Sequence, residues 1–275
     1  MRNGALYRWA GGALVAIDYC DPGEYRVEAM DSFLVTQGRT FARELHESRF
    51  SDAARQRCTE LDGFATLGVE SFWDAALALV PATGNWFPRL ELQSKDGAAH
   101  LLFRHRPAPE LARSAVLATH DRPDPRKTPG IKGPDVDALL SARTSARLRG
   151  ADDAVILTKD GFLVDGTTSA LAWWRGDILC APPIAEDAPE FERVDSVTAR
   201  SLFAMAAALG VETHRERATP ADLDGAEVWA LGALHGIRIV TSWIDGPTLA
   251  EKPGRLGLWR KRREALLKPK GAATT

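Results

Sequence analysis

The period of apolar and polar positions changes several times along the chain, and each change marks an element. Residues 26–36, "RVEAMDSFLVT", read as a strand, with "GRT" as the turn behind it. "TFARELHESRFSDAARQRC" is rich in helix formers and opens on Thr40, an N-cap residue type, so it reads as a helix. "SFWDAALALV" is a second helix. "WFPRLELQSKDGAAHLLFRHR" reads as a hairpin turning at Asp96-Gly97, and "SAVLATH" as a further strand.

"DRPDPRKTPGIKGPD" then places four prolines and two glycines in fifteen residues, which neither a helix nor a central strand tolerates. It is the best boundary in the chain. A smaller N-terminal domain is expected over residues 1–120, a linker over 121–131, and a larger C-terminal domain over 132–275. In the second part "PDVDALLSARTSARLRG" reads as a helix with Pro134 near its first turn and Gly150 at its end. The strands "DAVILT", "GFLV", "SALAWW" and "DILCAPP" follow, then the helix "SVTARSLFAMAAALG". The strands "VETHRER", "EVWALGA" and "IRIVTSW" and a basic helix, "GRLGLWRKRREALL", complete the pattern. Successive strands lie close enough to pair as antiparallel neighbours. The expected class is α+β in two domains, without the regular alternation of a doubly wound sheet.

Composition narrows the function. A formal net charge of −2 gives no reason to expect nucleic acid. No run of eighteen apolar residues predicts a membrane span, and the N-terminal stretch meets Asp18 too early for a signal peptide. Cys20, Cys58 and Cys180 are odd in number and far apart, which fits neither a disulfide framework nor a zinc site. A reducing cytoplasm is the simplest setting, and several of them read as ordinary buried thiols. The tail "KPKGAATT" is expected to fray.

Two positions carry candidate chemistry. Lys132 stands in "GIKGP" just before a helix; partial desolvation there makes an amine a better nucleophile toward an aldehyde, although on position alone it reads first as a solvated loop lysine. In "DGFLVDGTTSALAWW" an acid, Asp165, interrupts two apolar stretches. By itself it reads as the start of a turn with Gly166.

Taken together, the lysine, the helix, the strand, the Asp-Gly turn, the strand ending in an acid and the later "SVTARSLFAMAAALGVETHRE" resemble the class IV aminotransferases. These are pyridoxal 5'-phosphate (PLP) enzymes of two-domain fold type IV, and they include branched-chain and D-amino acid aminotransferases and aminodeoxychorismate lyase. The resemblance covers the second half and, more faintly, the first. It implies that Lys132 is the Schiff-base lysine and that Asp165 pairs with the pyridine nitrogen. "FARELHESRF" is similar to the family's His-x-x-Arg helix, making Arg49 the phosphate arginine with His46 one turn before it. Ser196, Val197 and Thr198 match the helix start that offers N–H groups to the phosphate. "LGALHGI" is similar to the loop near the phosphate, with Gly232 and Ala233 where a small residue or threonine is usual, so a hydroxyl contact is not expected. Arg104 or Arg106 would hold a substrate carboxylate. On their own positions, Arg49 reads equally as a surface residue, Ser196 or Thr198 as a plain N-cap, and the two strand-end arginines as solvated.

The chain departs from the pattern in two places. The acid is aspartate where glutamate is usual, and Asp135-Val136 replaces the family's Asn-Tyr. The resemblance implies an aminotransferase acting on an amino acid and a 2-oxo acid as a cytoplasmic homodimer. A 4-amino-4-deoxychorismate lyase-type enzyme and a catalytically degenerate member are the alternatives.

Overall fold

The computed structural model describes residues 4–17, 25–58 and 61–271. Cys20 and the last four residues of the tail lie outside the described residues. The chain separates into two compact units, Met1–Leu111 with Ile131–Pro134 and Glu264–Thr275, and Ala112–Gly130 with Asp135–Arg263.

In the first unit, strands β1 (Ala5–Ala10), β2 (Ala13–Ile17), β3 (Arg26–Ser32), β7 (Arg89–Lys95) and β8 (Ala98–His105) form an antiparallel sheet in the order β2-β1-β8-β7-β3. The short strands β4 (Val35–Thr36), β5 (Arg39–Thr40) and β6 (Asn85–Trp86) make a second, small sheet together with Lys268–Pro269. Helices α1 (Arg43–Cys58) and α2 (Val69–Leu79) bring Phe50, Phe72 and Trp73 into the core with Phe33, Leu90, Leu92 and Phe103. On α1 the buried positions His46, Phe50, Ala54 and Cys58 recur every fourth residue, so one face turns inward. Asp96 and Gly97 both take positive φ, 50° and 80°, as a tight type I′ hairpin turn requires.

Two expectations need correcting here. The strand through residues 26–36 breaks after Ser32, and its turn falls at Gln37-Gly38 rather than at "GRT". Thr40 is not an N-cap. It lies in β5 and its hydroxyl donates to Leu34 O at 2.9 Å, while α1 begins three residues later, after Ala42.

The second unit is an eight-stranded mixed sheet in the order β11-β10-β9-β16-β15-β12-β13-β14. Its elements are β9 (Ser114–Thr119), α3 (Val136–Leu148), β10 (Asp153–Leu157), β11 (Leu163–Gly166), β12 (Ala170–Arg175), β13 (Ile178–Ala181), α4 (Val197–Ala208), β14 (Thr213–Arg215), β15 (Glu227–Gly232), β16 (Gly236–Ile244) and α5 (Arg255–Ala265). Pairing is not all antiparallel as expected: β9 runs parallel to β10 and β16, and β13 to β14. Parallel neighbours need long crossovers, and α3 and α4 supply two of them. One face of the sheet packs Leu171, Trp173, Val228 and Val240 together. The other lies under α4 and α5, where Trp174, Trp229 and Trp259 meet with centroids 5.3–6.0 Å apart.

Candidate functional site

Lys132 belongs to the first unit. Met30 N donates to Lys132 O at 2.7 Å, so the short segment Ile131–Pro134 docks on β3. Gly133 explains the closeness. A Cβ there would stand 2.9 Å from Ala29 Cα, and the residue has φ +147°. Beside this contact lies Asp31, with 0% exposure. Its Oδ2 accepts from Arg49 Nε at 2.8 Å and pairs with Nη2 at 2.6 Å, and its Oδ1 is 2.8 Å from His46 Nδ1. A carboxylate only accepts, so neutral His46 carries its proton on Nδ1. Burial works to raise the Asp31 carboxyl, but the charges of Arg49 and Lys132 together with His46, which hydrogen-bonds to it, outweigh that and bring it down to about 2. Burial also lowers His46, against the pull of Asp31. Lys132 and Arg49, singled out separately in the sequence, therefore both act electrostatically on one carboxylate.

Arg104 lies near the end of β8 and Arg106 just beyond it, in the same unit. Arg104 Nε donates to the fully buried Glu91 at 2.6 Å, and Arg89 pairs with the same Oε1. Arg106 Nε donates to Phe87 O at 2.8 Å, with Nη2 3.4 Å from Ser32 Oγ. Burial, with Arg89 and Arg104 nearby, lowers Arg106 to about 10, so it stays charged at neutral pH. Two guanidiniums, Arg89 and Arg104, thus pair with Glu91 while Arg106 is held by Phe87 O and Ser32, an excess of positive charge that favours a further anion.

In the second unit Asp165 stands opposite Ile156 on β11, after the buried Leu163 and Val164. The residue is half-buried, yet its Oδ1 is wholly buried with no hydrogen-bond partner among the described residues. Burial raises the carboxyl to about 7 against Arg193 and Arg126, and Asp153 adds to the rise. Arg193 is fixed in turn by Pro183 O at 2.6 Å, Phe191 O at 2.9 Å and Pro182 O at 3.1 Å. The polar run behind Asp165 is tied to Asp153, also 0% exposed, which accepts from the hydroxyls of Thr167, Thr168 (3.0 Å) and Ser169 (2.6 Å). The sequence "GTTS" is therefore a knot on a buried carboxylate, and it sets the chain direction just after Asp165.

Ser196 caps α4, its hydroxyl accepting from Ala199 N at 3.3 Å. Val197 and Thr198 are buried in the first turn, whose N–H groups have no acceptor within a helix. Ala233 lies in the turn between β15 and β16, and a Cβ on neighbouring Gly232 would approach Thr168 O at 3.5 Å. The candidate residues thus fall into two sets: Lys132, Arg49, Arg104 and Arg106 in the first unit, and Asp165, Ser196, Val197, Thr198 and Ala233 in the second.

The raised Asp165 carboxyl has a consequence for stability. Below about pH 4 it is protonated in folded and unfolded chains alike. Between its ordinary 3.8 and about 7 the unfolded chain ionises while the folded one holds its proton, so stability falls as pH rises. The loss approaches a few kcal/mol by about pH 7 and then levels off. Urea unfolding of the protein without added ligands should show Asp165→Asn gaining on wild type between about pH 4 and 7. A pH-independent difference would contradict the raised carboxyl.

The family model for amino-transferase class IV matches residues 28–243. The chain belongs to the class IV aminotransferases. Among solved structures, this class IV aminotransferase is similar to a fold IV transaminase from Curtobacterium pusillum, at 18% identity and TM-score 0.72, covering 96% of this chain and 97% of that one. A PLP-bound hypothetical aminotransferase from Mycobacterium tuberculosis is 20% identical, with TM-score 0.72 and coverage of 96% and 98%. The branched-chain amino acid aminotransferase of Escherichia coli is 13% identical, with TM-score 0.78 and coverage of 98% and 100%. No curated protein matches in sequence. At these identities the likeness establishes the fold, and the family supports an enzyme of aminotransferase type. Among the described residues no three His, Cys, Asp or Glu side chains converge as for a metal, and no helix is long and apolar enough to cross a membrane.

Sequence reasoning passed over Asp31, Asp153 and Arg193. Asp31 sits in a run read as an ordinary strand, although an acid interrupting the apolar pairs Ala29-Met30 and Phe33-Leu34 is a signal akin to that of Asp165. The partners of Asp153 stand 14 to 16 residues away and look like loop polarity until the fold joins them.

Proposed function

We propose that the chain is a PLP-dependent aminotransferase that moves an amino group between an amino acid and a 2-oxo acid. The observation that carries the reading within this family is the buried, unpartnered Oδ1 of Asp165, an acceptor suited to a ring N–H. Arg49 and the start of α4 at Ser196, Val197 and Thr198 suit a phosphate in the same way. The residues present therefore fit PLP. When bound, the cofactor supplies an aldehyde that bonds to an amine and a ring that takes up the electron pair left at the substrate Cα.

The chain's own residues do the rest. Lys132 Nζ would hold the cofactor, and its free amine would move the proton from the substrate Cα. Asp165 would keep a proton on the ring nitrogen, since a positive partner favours its ionised form. Arg104 or Arg106 receives the substrate carboxylate, the bidentate geometry of a guanidinium fixing its orientation. Ala233 adds no hydroxyl, so its contribution on the phosphate side is the backbone of its turn.

Arg49→Ala should weaken PLP binding by on the order of 2 kcal/mol, about 30-fold in Kd. Dissociation constants within about twofold of each other would return Arg49 to a purely structural role. The function itself is tested by offering the PLP-loaded protein a panel of L- and D-amino acids, each with a 2-oxo acid. New amino acid product, read by mass spectrometry, supports the proposal, and no product across the panel contradicts it.

A further inference from the structure

We infer that Asp31 is a positioning residue that fixes the Arg49 guanidinium and sets the charge balance at Lys132. This deepens the cofactor reading and rests on it for its purpose, but its physical content does not need the cofactor. Both Arg49 Nε and Nη2 approach the same Asp31 oxygen, at 2.8 and 2.6 Å, which fixes the plane of the guanidinium. The other oxygen receives His46 Nδ1 and the Ser32 amide at 2.7 Å, so rotation of the carboxylate would break bonds on both sides.

The backbone of the same strand carries the lysine. Met30, next to Asp31, donates to Lys132 O, and Gly133 lies against Ala29. One stretch, Ala29–Asp31, therefore sets the phosphate-side arginine through a side chain and the lysine through the main chain. The charged or titratable groups acting on Asp31 are Arg49 and His46 from α1 and Lys132 from the docked segment. With His46 neutral, Asp31 and Arg49 cancel. An amine in that setting faces a nearly balanced pair rather than a bare cation, and removing either partner tips the balance in a predictable direction.

The test follows the pH midpoint of Lys132 modification by an amine-reactive reagent in the full-length protein without PLP. Peptide mass spectrometry between about pH 7 and 11 brackets an ordinary lysine. Asp31→Asn removes the attraction that favours the ammonium, so the midpoint should fall by about one pH unit. Arg49→Gln leaves the carboxylate unopposed, so the midpoint should rise. This second variant keeps the test decisive if Asp31→Asn does not fold. Glu28→Gln, on the same strand but bound to Arg57 and Ser94, serves as the control and should leave the midpoint in place. Unchanged midpoints in the folded Asp31 and Arg49 variants, or shifts of the same sign in both, overturn the inference. Midpoints that move as stated in a protein that binds no PLP would retain the charge coupling while refuting the cofactor reading.

Discussion

Lys132→Ala should abolish amino transfer while leaving the fold intact. The loss should be on the order of 10⁴-fold or more, since in the proposed reaction one side chain would supply both the nucleophile and the proton carrier. The structural cost is small because the contact anchoring the segment is made by the main chain: Lys132 O accepts from Met30 N at 2.7 Å, and alanine keeps that bond. Asp31 loses one neighbouring cation but retains Arg49 and His46. Stability should therefore change by less than about 1 kcal/mol. Turnover at the wild-type rate in a folded Lys132→Ala protein would remove the lysine from the chemistry. Loss of turnover together with loss of fold would show that the side chain has a structural task as well.

Asp165→Asn is expected to slow removal of the Cα proton at least about 100-fold, a barrier increase of roughly 2.7 kcal/mol. Asparagine keeps the size and the hydrogen-bonding ability but loses the charge that, in the proposed function, would hold a proton on the ring nitrogen. Cofactor attachment at Lys132 should survive, which separates this variant from Lys132→Ala. Asp165→Glu restores the acid usual in the family at the cost of one more methylene. Beside the buried Leu163 and Val164, the longer side chain should lower activity if the space is already filled, and be tolerated if water occupies it. A single-turnover rate unaffected by Asp165→Asn would make this acid the opening of a turn and nothing more.

Local chemistry in the sequence was legible; partners distant in sequence were not. The Asp96-Gly97 hairpin follows from residues that accept positive φ, and the Ser196 cap from a serine before an alanine-rich run. Thr40 was misread because it too is a capping residue before a helical run, and only its bond to Leu34 O assigns it to a strand. The parallel strands were missed because adjacency in sequence suggests hairpins, whereas β9 is flanked in the sheet by β10 and β16. At the candidate site, Lys132 and Arg49 could be picked out one at a time on the strength of resemblance. Their joint dependence on Asp31 could not, because it joins residues 18 apart on a strand and a helix to a segment a hundred positions later. Charge pairing of that kind leaves no periodicity in the chain.

The central claim is that Lys132 is the residue that bonds the cofactor. PLP-loaded protein reduced with borohydride, digested and sequenced by mass spectrometry tests it most directly. The account predicts a phosphopyridoxyl group on the peptide containing Lys132, absent from the same peptide of Lys132→Ala. A stable adduct on a different lysine, or none on a protein that binds PLP, would contradict it.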